Sequence, residues 1–299
     1  MNGYSEKQEQ TKDTFSFKWG KTETYSSAHI LRDTGDWLMQ KYFDGDAAKR
    51  DEIFADGKTV LDAGCGAGMS AIALLGERLK KLKYIGVDIS DAVSEARENL
   101  KKTGGEYEVI QCDLNNIDLK EKVDVIFSEG VLHHTDSTRE AIINLGRHLA
   151  KGGYFLFYVY AKKAPIREYT DDYIREYFRD KSNEETWNGL KSLTRFGKML
   201  GDLNVTLHID EDIPCIGVKK GDIDLQRFFY WNIFKCFYKP EYSIDEMNHI
   251  NFDWYRPLNC HRQTPDEVRM WCAQAGLVIE RMHVEEAGIT VVARKGDEL

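Results

Sequence analysis

The chain has 299 residues, of which 42% are hydrophobic and 30% are charged, and its formal net charge is −9. This composition is typical of a globular protein, and it excludes a collagen, a disordered tail protein and a small disulfide-rich scaffold. The length allows one large domain or two small ones. Because a surface of this sign repels phosphate backbones, we expect no nucleic-acid partner.

Nothing in the sequence pattern indicates a membrane or an oxidising compartment. There is no run of 18 apolar residues, and residues 1–20 lack the apolar core of a signal peptide. The six cysteines are scattered without a CxxC pair, which is typical of reduced thiols and argues against zinc. We therefore expect a cytoplasmic protein without a bound metal or a membrane partner. Its oligomeric state is open, a dimer included.

The pattern of apolar residues changes along the first half of the chain. Residues 1–57 are predicted to form an N-terminal lid and helices, with helical spacing over 26–54. Over 58–160 apolar strands alternate strictly with helices, which indicates parallel strands covered on both faces. The predicted strands are 59–62, 84–88, 107–111, 123–127 and 154–160. The predicted helices are 70–80, 90–102 and 137–149, with Ser90 as a candidate N-cap of the second.

The alternation stops at residue 161 and resumes near residue 256. Residues 161–255 are mostly helical in propensity and hold about half of the aromatic residues, so they are expected to form an inserted cap. Residues 256–299 are expected to complete the core with a helix and two antiparallel strands. That helix is predicted to start with a capping box of Thr264 and Glu267 around Pro265, and the strands are 277–284 and 288–293. The predicted fold is a doubly wound, Rossmann-like α/β sheet with a terminal antiparallel hairpin and a mostly helical cap inserted after strand five.

The most informative motif is a glycine loop after the first strand, Asp62-Ala63-Gly64-Cys65-Gly66-Ala67-Gly68. Its glycines permit a tight turn and the close approach of a ligand, but their spacing departs from the G-x-G-x-x-G fingerprint of dinucleotide sites. Asp62 would repel a pyrophosphate, whereas it suits an ammonium group. Asp88, at the end of the second strand, can accept both hydrogen bonds of a ribose diol, and Asp113 can take an adenine amino group.

An amino group, a ribose and an adenine without a phosphate describe S-adenosylmethionine (SAM). Residues 58–160 resemble the class I SAM-dependent methyltransferases in four places. These are the loop 62–68, the strand Gly86-Val87-Asp88, the triplet Cys112-Asp113-Leu114, and the run 124–135, DVIFSEGVLHHT. The last run is similar to small-molecule methyltransferases, including quinone C-methyltransferases, and unlike the NPPY motif of nucleic-acid amino methyltransferases. The insertion is similar to that of a bacterial subgroup of the family.

The resemblance implies a set of cofactor-binding residues. They are Trp19, Tyr25, Asp62, Gly64, Cys65, Gly66, Gly68, Asp88, Ile89, Asp113, Leu114, Ser128 and Glu129. Within this set, the aromatic stretch 15–20 with Tyr25 resembles a lid strand over the cofactor; the alternative is a tail packed on a core helix.

Methyl transfer from a sulfonium is an in-line displacement, so the protein must position the acceptor, exclude water and sometimes remove a proton. Candidate catalytic residues are His133 and His134, after the fourth strand, and Tyr160, at the end of the fifth. A histidine titrates near neutrality and suits a general base. The alternative is that one histidine packs beneath the cofactor and the other caps the next helix.

Substrate-binding candidates concentrate in and around the insertion. They are Tyr158, Arg167, Tyr169, Tyr173, Arg227, Tyr230, Trp231, Trp254 and Tyr255. Seven of the eleven residues in 228–238 are aromatic, too many for one helical stripe. Aromatic faces attract cations, and the arginines can clamp a carboxylate or phosphate, although each arginine can equally be a surface ion-pair partner.

These residues predict a SAM-dependent methyltransferase that acts on an amine, hydroxyl or carbon of a small molecule and yields S-adenosylhomocysteine. Two alternatives keep the cofactor. The first is cyclisation, in which the amine of SAM attacks the carbon γ to it and gives a four-membered ring and methylthioadenosine, or a lyase reaction that also gives methylthioadenosine. The second is a protein that binds SAM and catalyses no reaction. Asp62 favours methyl transfer because it holds the amine charged. The loop spacing and Asp62 disfavour a nicotinamide dehydrogenase.

Overall fold

The structure, a computed structural model, describes residues 4–296. The chain divides into two compact units. The first contains the segments up to Ala161 and from Asn259 onward, and the second is Lys162–Leu258. The second unit is nearly coextensive with the insertion that the sequence places at 161–255.

Eleven α-helices and nine strands are formed by the described residues. The helices are α1 (Glu6–Trp19), α2 (Ala28–Phe43), α3 (Ala47–Ile53), α4 (Met69–Leu75), α5 (Val93–Lys101), α6 (Thr138–His148), α7 (Pro165–Phe178), α8 (Asn183–Asp202), α9 (Leu225–Asn232), α10 (Ile244–Tyr255) and α11 (Pro265–Gln274). The strands are β1 (Thr59–Ala63), β2 (Lys83–Asp88), β3 (Glu106–Gln111), β4 (Val123–Glu129), β5 (Leu149–Tyr160), β6 (Thr206–Ile209), β7 (Gly221–Asp224), β8 (Leu277–Val284) and β9 (Gly288–Lys295).

The first unit is built on one seven-stranded sheet with the order β3-β2-β1-β4-β5-β9-β8. Strands β1 to β5 pair in parallel, whereas β9 is antiparallel to β5 and β8 is antiparallel to β9. Buried side chains such as Leu61, Ile126 and Phe155 make the middle of the central strands apolar, as expected of strands packed on both faces. The predicted doubly wound sheet with a terminal antiparallel hairpin is confirmed.

The aromatic stretch near the N-terminus is helical, not the lid strand that the sequence suggested. Ser5 caps α1 by accepting a hydrogen bond from the Gln8 amide, and Glu6 and Glu9 lie in its positively polarised first turn. The buried face of α1 is polar: its members are Gln8, Thr11, Thr14 and Lys18. A search for apolar stripes does not find such a helix, because the residues on its buried face are polar.

Two helix boundaries of the core also differ from the prediction. The helix predicted over 70–80 ends at Leu75, and Gly76, at φ +50°, starts a short 3-10 segment. Ser90 does not cap α5, which begins at Val93. Its hydroxyl and amide instead donate to one oxygen of Asp88, at 2.6 and 2.8 Å. Ser90 therefore binds the carboxylate of Asp88 instead of the free amides at the start of α5.

The second unit contains four helices, α7 to α10, and the hairpin of β6 and β7, a strand pair within a segment predicted to be mostly helical. Capping boxes start α8 at Ser182 and α10 at Ser243. Between these helices the Thr194 hydroxyl donates to the side-chain oxygen of Asn248, at 2.8 Å. In the part of the chain that the structure describes, no helix combines the length and apolarity needed to cross a membrane.

Candidate functional site

The candidate site of the first unit lies at one edge of the sheet. The strand order reverses between β1 and β4, and open α/β sheets bind ligands at the carboxyl ends of the strands beside such a reversal. The glycine loop follows β1, Asp88 ends β2, and Ser128 and Glu129 end β4. The predicted cofactor residues of three strands are thus brought to one edge.

The glycine loop is a tight backbone cradle. Gly64, Gly66 and Gly68 have φ angles of +88°, +51° and +79°, a region that favours glycine. A Cβ on Gly64 would lie 2.2 Å from a methyl carbon of Val131, and a Cβ on Gly66 would lie 2.6 Å from the indole ring of Trp19. The loop therefore has no room for side chains at two of its positions.

Asp88 holds this loop and the turn after β2 together. Its Oδ2 accepts the Gly66 amide at 2.8 Å, and its Oδ1 accepts the amide and hydroxyl of Ser90. Burial raises the pKa of Asp88, and the hydrogen bonds from Ser90 and Gly66 oppose that rise. Three of about four acceptor positions on the carboxylate are used by the protein. The ribose contact predicted for Asp88 has to share the carboxylate with these donors.

Asp62 is buried at the end of β1. The hydroxyl of Tyr84 donates to its Oδ2 at 2.6 Å. Burial raises the pKa of Asp62 to about 7; the Tyr84 hydrogen bond lowers it, while the charges of Asp88 and Glu129 raise it further. A buried carboxylate among other acids is stabilised by a cation, so the geometry suits the ammonium group assigned to Asp62 from the sequence.

Glu129 is bound by two side chains of α2 that the sequence did not single out. The Nζ of Lys41 lies 2.5 Å from Oε1, and the Tyr42 hydroxyl donates to Oε2 at 2.6 Å. The same Nζ lies 3.3 Å from the ring centroid of Tyr158, and burial lowers the pKa of Lys41 to about 8. Glu129 thus anchors α2 to the sheet, and its contact with the cofactor stays a prediction.

The remaining cofactor candidates lie around this edge. Ser128 is buried and its hydroxyl donates to the carbonyl of Ala63 at 2.7 Å. Asp113 is buried after β3, accepts the amide of Asn115 at 2.9 Å, and has its pKa raised by burial. Three further candidates lie in these segments: Cys65, a buried free thiol in the loop; Ile89, after β2; and Leu114, in the core.

The predicted catalytic residues form one buried aromatic cluster. The rings of His133 and Tyr160 are stacked with centroids 3.6 Å apart, and His134 lies edge-on to Tyr160 at 5.6 Å. Nδ1 of His134 is 2.6 Å from the carbonyl oxygen of Asn259. A carbonyl can only accept, so Nδ1 carries the proton, and Nε2 is the basic atom of the neutral ring.

Helix α1 lies against this edge of the sheet. Phe15 contacts the His134 ring at 5.0 Å, and the hydroxyl of Ser16 accepts the amide of Asp91 at 3.0 Å. Trp19 lies on Gly66, and the Tyr25 hydroxyl donates to the Trp19 carbonyl at 2.8 Å. Trp19 and Tyr25 are therefore placed beside the glycine loop, on a helix and the turn that follows it.

The substrate candidates of the second unit fall into two groups. Arg167, Tyr230, Trp231, Trp254 and Tyr255 come together around Asp171, a buried acid that the sequence did not single out. Arg227 lies 5.5 Å from the Tyr230 ring and donates to the Tyr238 carbonyl at 3.2 Å. Tyr169 and Tyr173 are largely exposed on α7, and their role in substrate binding stays a prediction. Tyr158 belongs to the first unit.

Some residues that build the site were missed by sequence reasoning. Tyr84, Lys41 and Tyr42 each meet a carboxylate that is 22, 88 or 87 residues away in sequence. No local spacing signals such pairs. The one available signal was the polar stripe of α1, whose members recur at intervals of three or four residues.

Comparison of the sequence with known protein families identifies a methyltransferase domain. A family model described as a methyltransferase domain matches residues 54–204, which includes β1 to β5 and the first two helices of the second unit. The tRNA U34 carboxymethyltransferases of Shewanella sediminis and Haemophilus influenzae are each 30% identical to the chain, over 99 and 100 residues. These matches cover 32% of the chain and only 29–30% of the relatives' length.

A solved structure resembles the chain over nearly its whole length. Magnesium protoporphyrin IX methyltransferase from Synechocystis PCC 6803, with bound S-adenosylhomocysteine, has a TM-score of 0.51 and 15% identity, and the match covers 97% of this chain and 98% of that one. At this identity the likeness concerns the fold.

Proposed function

Because the chain belongs to the methyltransferase domain family, whose cofactor is SAM, we propose that it transfers the cofactor's methyl group to a small-molecule acceptor. Family membership confirms the predicted enzyme class and cofactor. The acceptor class, the residues assigned to each task and the role of Lys162–Leu258 as a substrate cap are the parts that we propose.

The observation that carries the proposal is the burial of the catalytic candidates. His133 is 0% exposed, His134 is 3% exposed and Tyr160 is 7% exposed. Polynucleotide substrates need an open and positively charged surface, whereas these rings lie below the surface in a chain of net charge −9. A small acceptor, enclosed with the cofactor, fits this arrangement better, since closure also excludes water from the reaction.

The proposed roles follow from the contacts. The glycine loop and Asp62 hold the amino-acid part of the cofactor, and Asp88 and Asp113 hold its nucleoside. SAM, when bound, supplies an electrophilic methyl group and a neutral leaving group. His134, whose Nδ1–H is fixed by the Asn259 carbonyl, presents Nε2 as the base for an acceptor proton. Tyr160 lies edge-on to that ring and is itself stacked on His133, so the two residues help to fix its position.

A second candidate acceptor is a tRNA nucleotide, because the curated relatives are named as tRNA U34 carboxymethyltransferases. Their likeness spans only about three tenths of their own length, so it does not carry their whole activity over to this chain. The absence of a basic motif in the sequence favours the small molecule.

Product analysis after incubation with SAM tests the proposal. We expect S-adenosylhomocysteine only when a small-molecule acceptor is present, and unchanged SAM without one. Methylthioadenosine formed without an acceptor would instead establish cyclisation or cleavage of the cofactor. S-adenosylhomocysteine formed with tRNA, but with no member of a panel of small amines, phenols and quinols, would establish tRNA as the methyl acceptor.

The variant His134→Asn separates a base from a packing residue. We expect it to bind SAM with unchanged affinity and to lose turnover by about 10²–10⁴-fold, with the pH dependence of the rate altered. Full activity would return His134 to a structural role.

A further inference from the structure

A group of cations surrounds one buried indole in the second unit. We call Lys163, Arg167 and Lys235 the cation cluster; all three lie around the ring of Trp254. The distances to the ring centroid are 5.4 Å from Lys163 Nζ, 5.3 Å from Arg167 Cζ and 5.1 Å from Lys235 Nζ. Arg167 and Lys235 are buried and Lys163 is half-buried, so these charges have lost much of their hydration.

The buried acid beside the cluster is already saturated. Oδ2 of Asp171 accepts Arg167 Nε at 3.1 Å and the Trp254 indole N–H at 2.8 Å. Oδ1 accepts the Lys235 amide at 3.0 Å and the Tyr255 hydroxyl at 2.7 Å. Four donors occupy about four acceptor positions, so Asp171 offers nothing further to the cluster.

Arg167 itself retains a donor without a partner. Its guanidinium is 1% exposed, and Nη1 has no hydrogen-bond partner among the residues that the structure describes. Leaving a buried charged donor unpaired costs a protein free energy, so such groups are uncommon unless a ligand uses them. The planar fork of arginine is well matched to the two oxygens of a carboxylate or phosphate.

The balance of charge points the same way. Burial lowers the pKa of Lys163 well below its usual value, and the neighbouring charges of Arg167 and Lys235 lower it further. Glu168 opposes this effect, but its Oε1 accepts the Lys163 amide at 2.6 Å. An added anion would offset the repulsion between the three cations and give Nη1 of Arg167 an acceptor.

We propose that the cation cluster of Lys163, Arg167 and Lys235 is a binding site for one carboxylate or phosphate group of a small anionic ligand. This inference goes beyond the proposed function, because it concerns the residues of the second unit by themselves. Trp254 and Tyr230, whose rings flank the Arg167 guanidinium at 5.3 and 5.0 Å, hold the fork in a fixed plane for the incoming group. The burial of Arg167 favours a terminal anionic group over the phosphodiester of a folded RNA.

Titration of the full chain with inorganic phosphate and, separately, with succinate tests the anion site. Tryptophan fluorescence is followed at constant ionic strength, because Trp254 lies at the centre of the cluster. We expect saturable binding of one of the two anions, which also identifies the group as phosphate or carboxylate. Lys163→Met should weaken that binding by about tenfold or more, as expected for the loss of a charge-assisted contact. The matched control is Lys162→Met, at the exposed neighbouring position, which should bind like the unaltered chain.

Arg167→Met is the stronger variant, but it leaves Asp171 buried without its cation and can fail to fold. The test therefore uses Lys163→Met, because Lys163 is only half-buried. Absence of saturable binding of either anion would overturn the anion site, and so would equal affinities of the Lys163→Met and unaltered proteins. Competition by stoichiometric tRNA would also overturn it, in favour of a polynucleotide surface. SAM binding is measured on the same samples. If the unaltered chain binds SAM but neither anion, the anion site alone is refuted. If the unaltered chain does not bind SAM, the proposed function is refuted.

Discussion

A single methyl group added to the glycine loop tests how tightly α1 closes it. In Gly66→Ala the new Cβ would lie 2.6 Å from Cε2 and 2.8 Å from Nε1 of Trp19. Unstrained carbon contacts lie at about 3.5–4.0 Å, so the overlap is close to 1 Å against a rigid ring. The backbone at φ +51° adds a second cost, because residues with a Cβ rarely adopt it.

The expected loss combines these two effects. The left-handed backbone costs about 1–2 kcal/mol for a residue with a Cβ, and overpacking against a ring costs about 1–3 kcal/mol. We therefore expect Gly66→Ala to lower the free energy of unfolding by about 2–5 kcal/mol, measured by denaturant titration. Gly57→Ala is the matched control. Its φ is +83° with no atom within 4 Å of the added Cβ, so it should show the backbone cost alone.

A second substitution separates the ring from the backbone. Trp19→Leu combined with Gly66→Ala should recover the overpacking part, and a double-mutant cycle should give a coupling of about 1–3 kcal/mol. The close approach of Trp19 would be refuted if Gly66→Ala were no more destabilising than Gly57→Ala. It would also be refuted if the two substitutions at 19 and 66 were simply additive. Calorimetry with SAM on the same proteins shows whether the loop keeps its shape for the cofactor.

Three further predictions concern the acids of this edge. Asp88→Ala should weaken SAM binding by about 10–100-fold in calorimetry, and unchanged affinity would contradict the ribose assignment. It should also destabilise the chain, because the Gly66 amide and the amide and hydroxyl of Ser90 lose their acceptor. Lys41→Met should lower the free energy of unfolding by about 3–5 kcal/mol in denaturant titration, because Glu129 is left buried without its cation. Adding Glu129→Gln should recover most of this loss, and additive effects of the two substitutions would refute the ion pair. With the pKa of Asp62 raised to about 7, the folded chain holds that proton more tightly than the unfolded chain. Its free energy of unfolding should therefore fall as pH rises from about 4 to about 7, and a cation at Asp62 should bind better above pH 7. Asp62→Asn should flatten both profiles, and equal pH dependence of the two proteins would contradict the assignment.

The sheet was predictable because its signals are local. Most of the parallel strands contain a short apolar run, and glycines or caps such as Thr264 mark the turns between strands and helices. The glycine loop and the acids Asp62, Asp88 and Asp113 stand out in the sequence for the same reason, since each acid ends or closely follows one of the first three predicted strands. The predicted architecture and the predicted edge of the sheet follow from these patterns.

Features that depend on distant partners could not be found in this way. The aromatic residues of α1 suggested a strand, but the helix is fixed by its cap and by polar contacts such as that of Asn259 with Gln8, 251 residues apart. The ion pair of Lys41 with Glu129 joins a helix of unremarkable sequence to the end of β4. In each case tertiary contacts outweighed a local preference.

The two ends of the second unit leave the sheet at one place. Ala161, the last residue before the unit, forms a bridge with Gln263, whose amide donates to the Tyr160 carbonyl at 2.9 Å. The pairing of β5 with β9 and of β9 with β8 involves no residue between Ala161 and Gln263. A segment attached in this way can be lengthened, shortened or exchanged during evolution while the strand pairing of the cofactor-binding sheet is kept. A single contiguous stretch of gene thus encodes the whole second unit, and its replacement leaves the strands of the methyltransferase core in place.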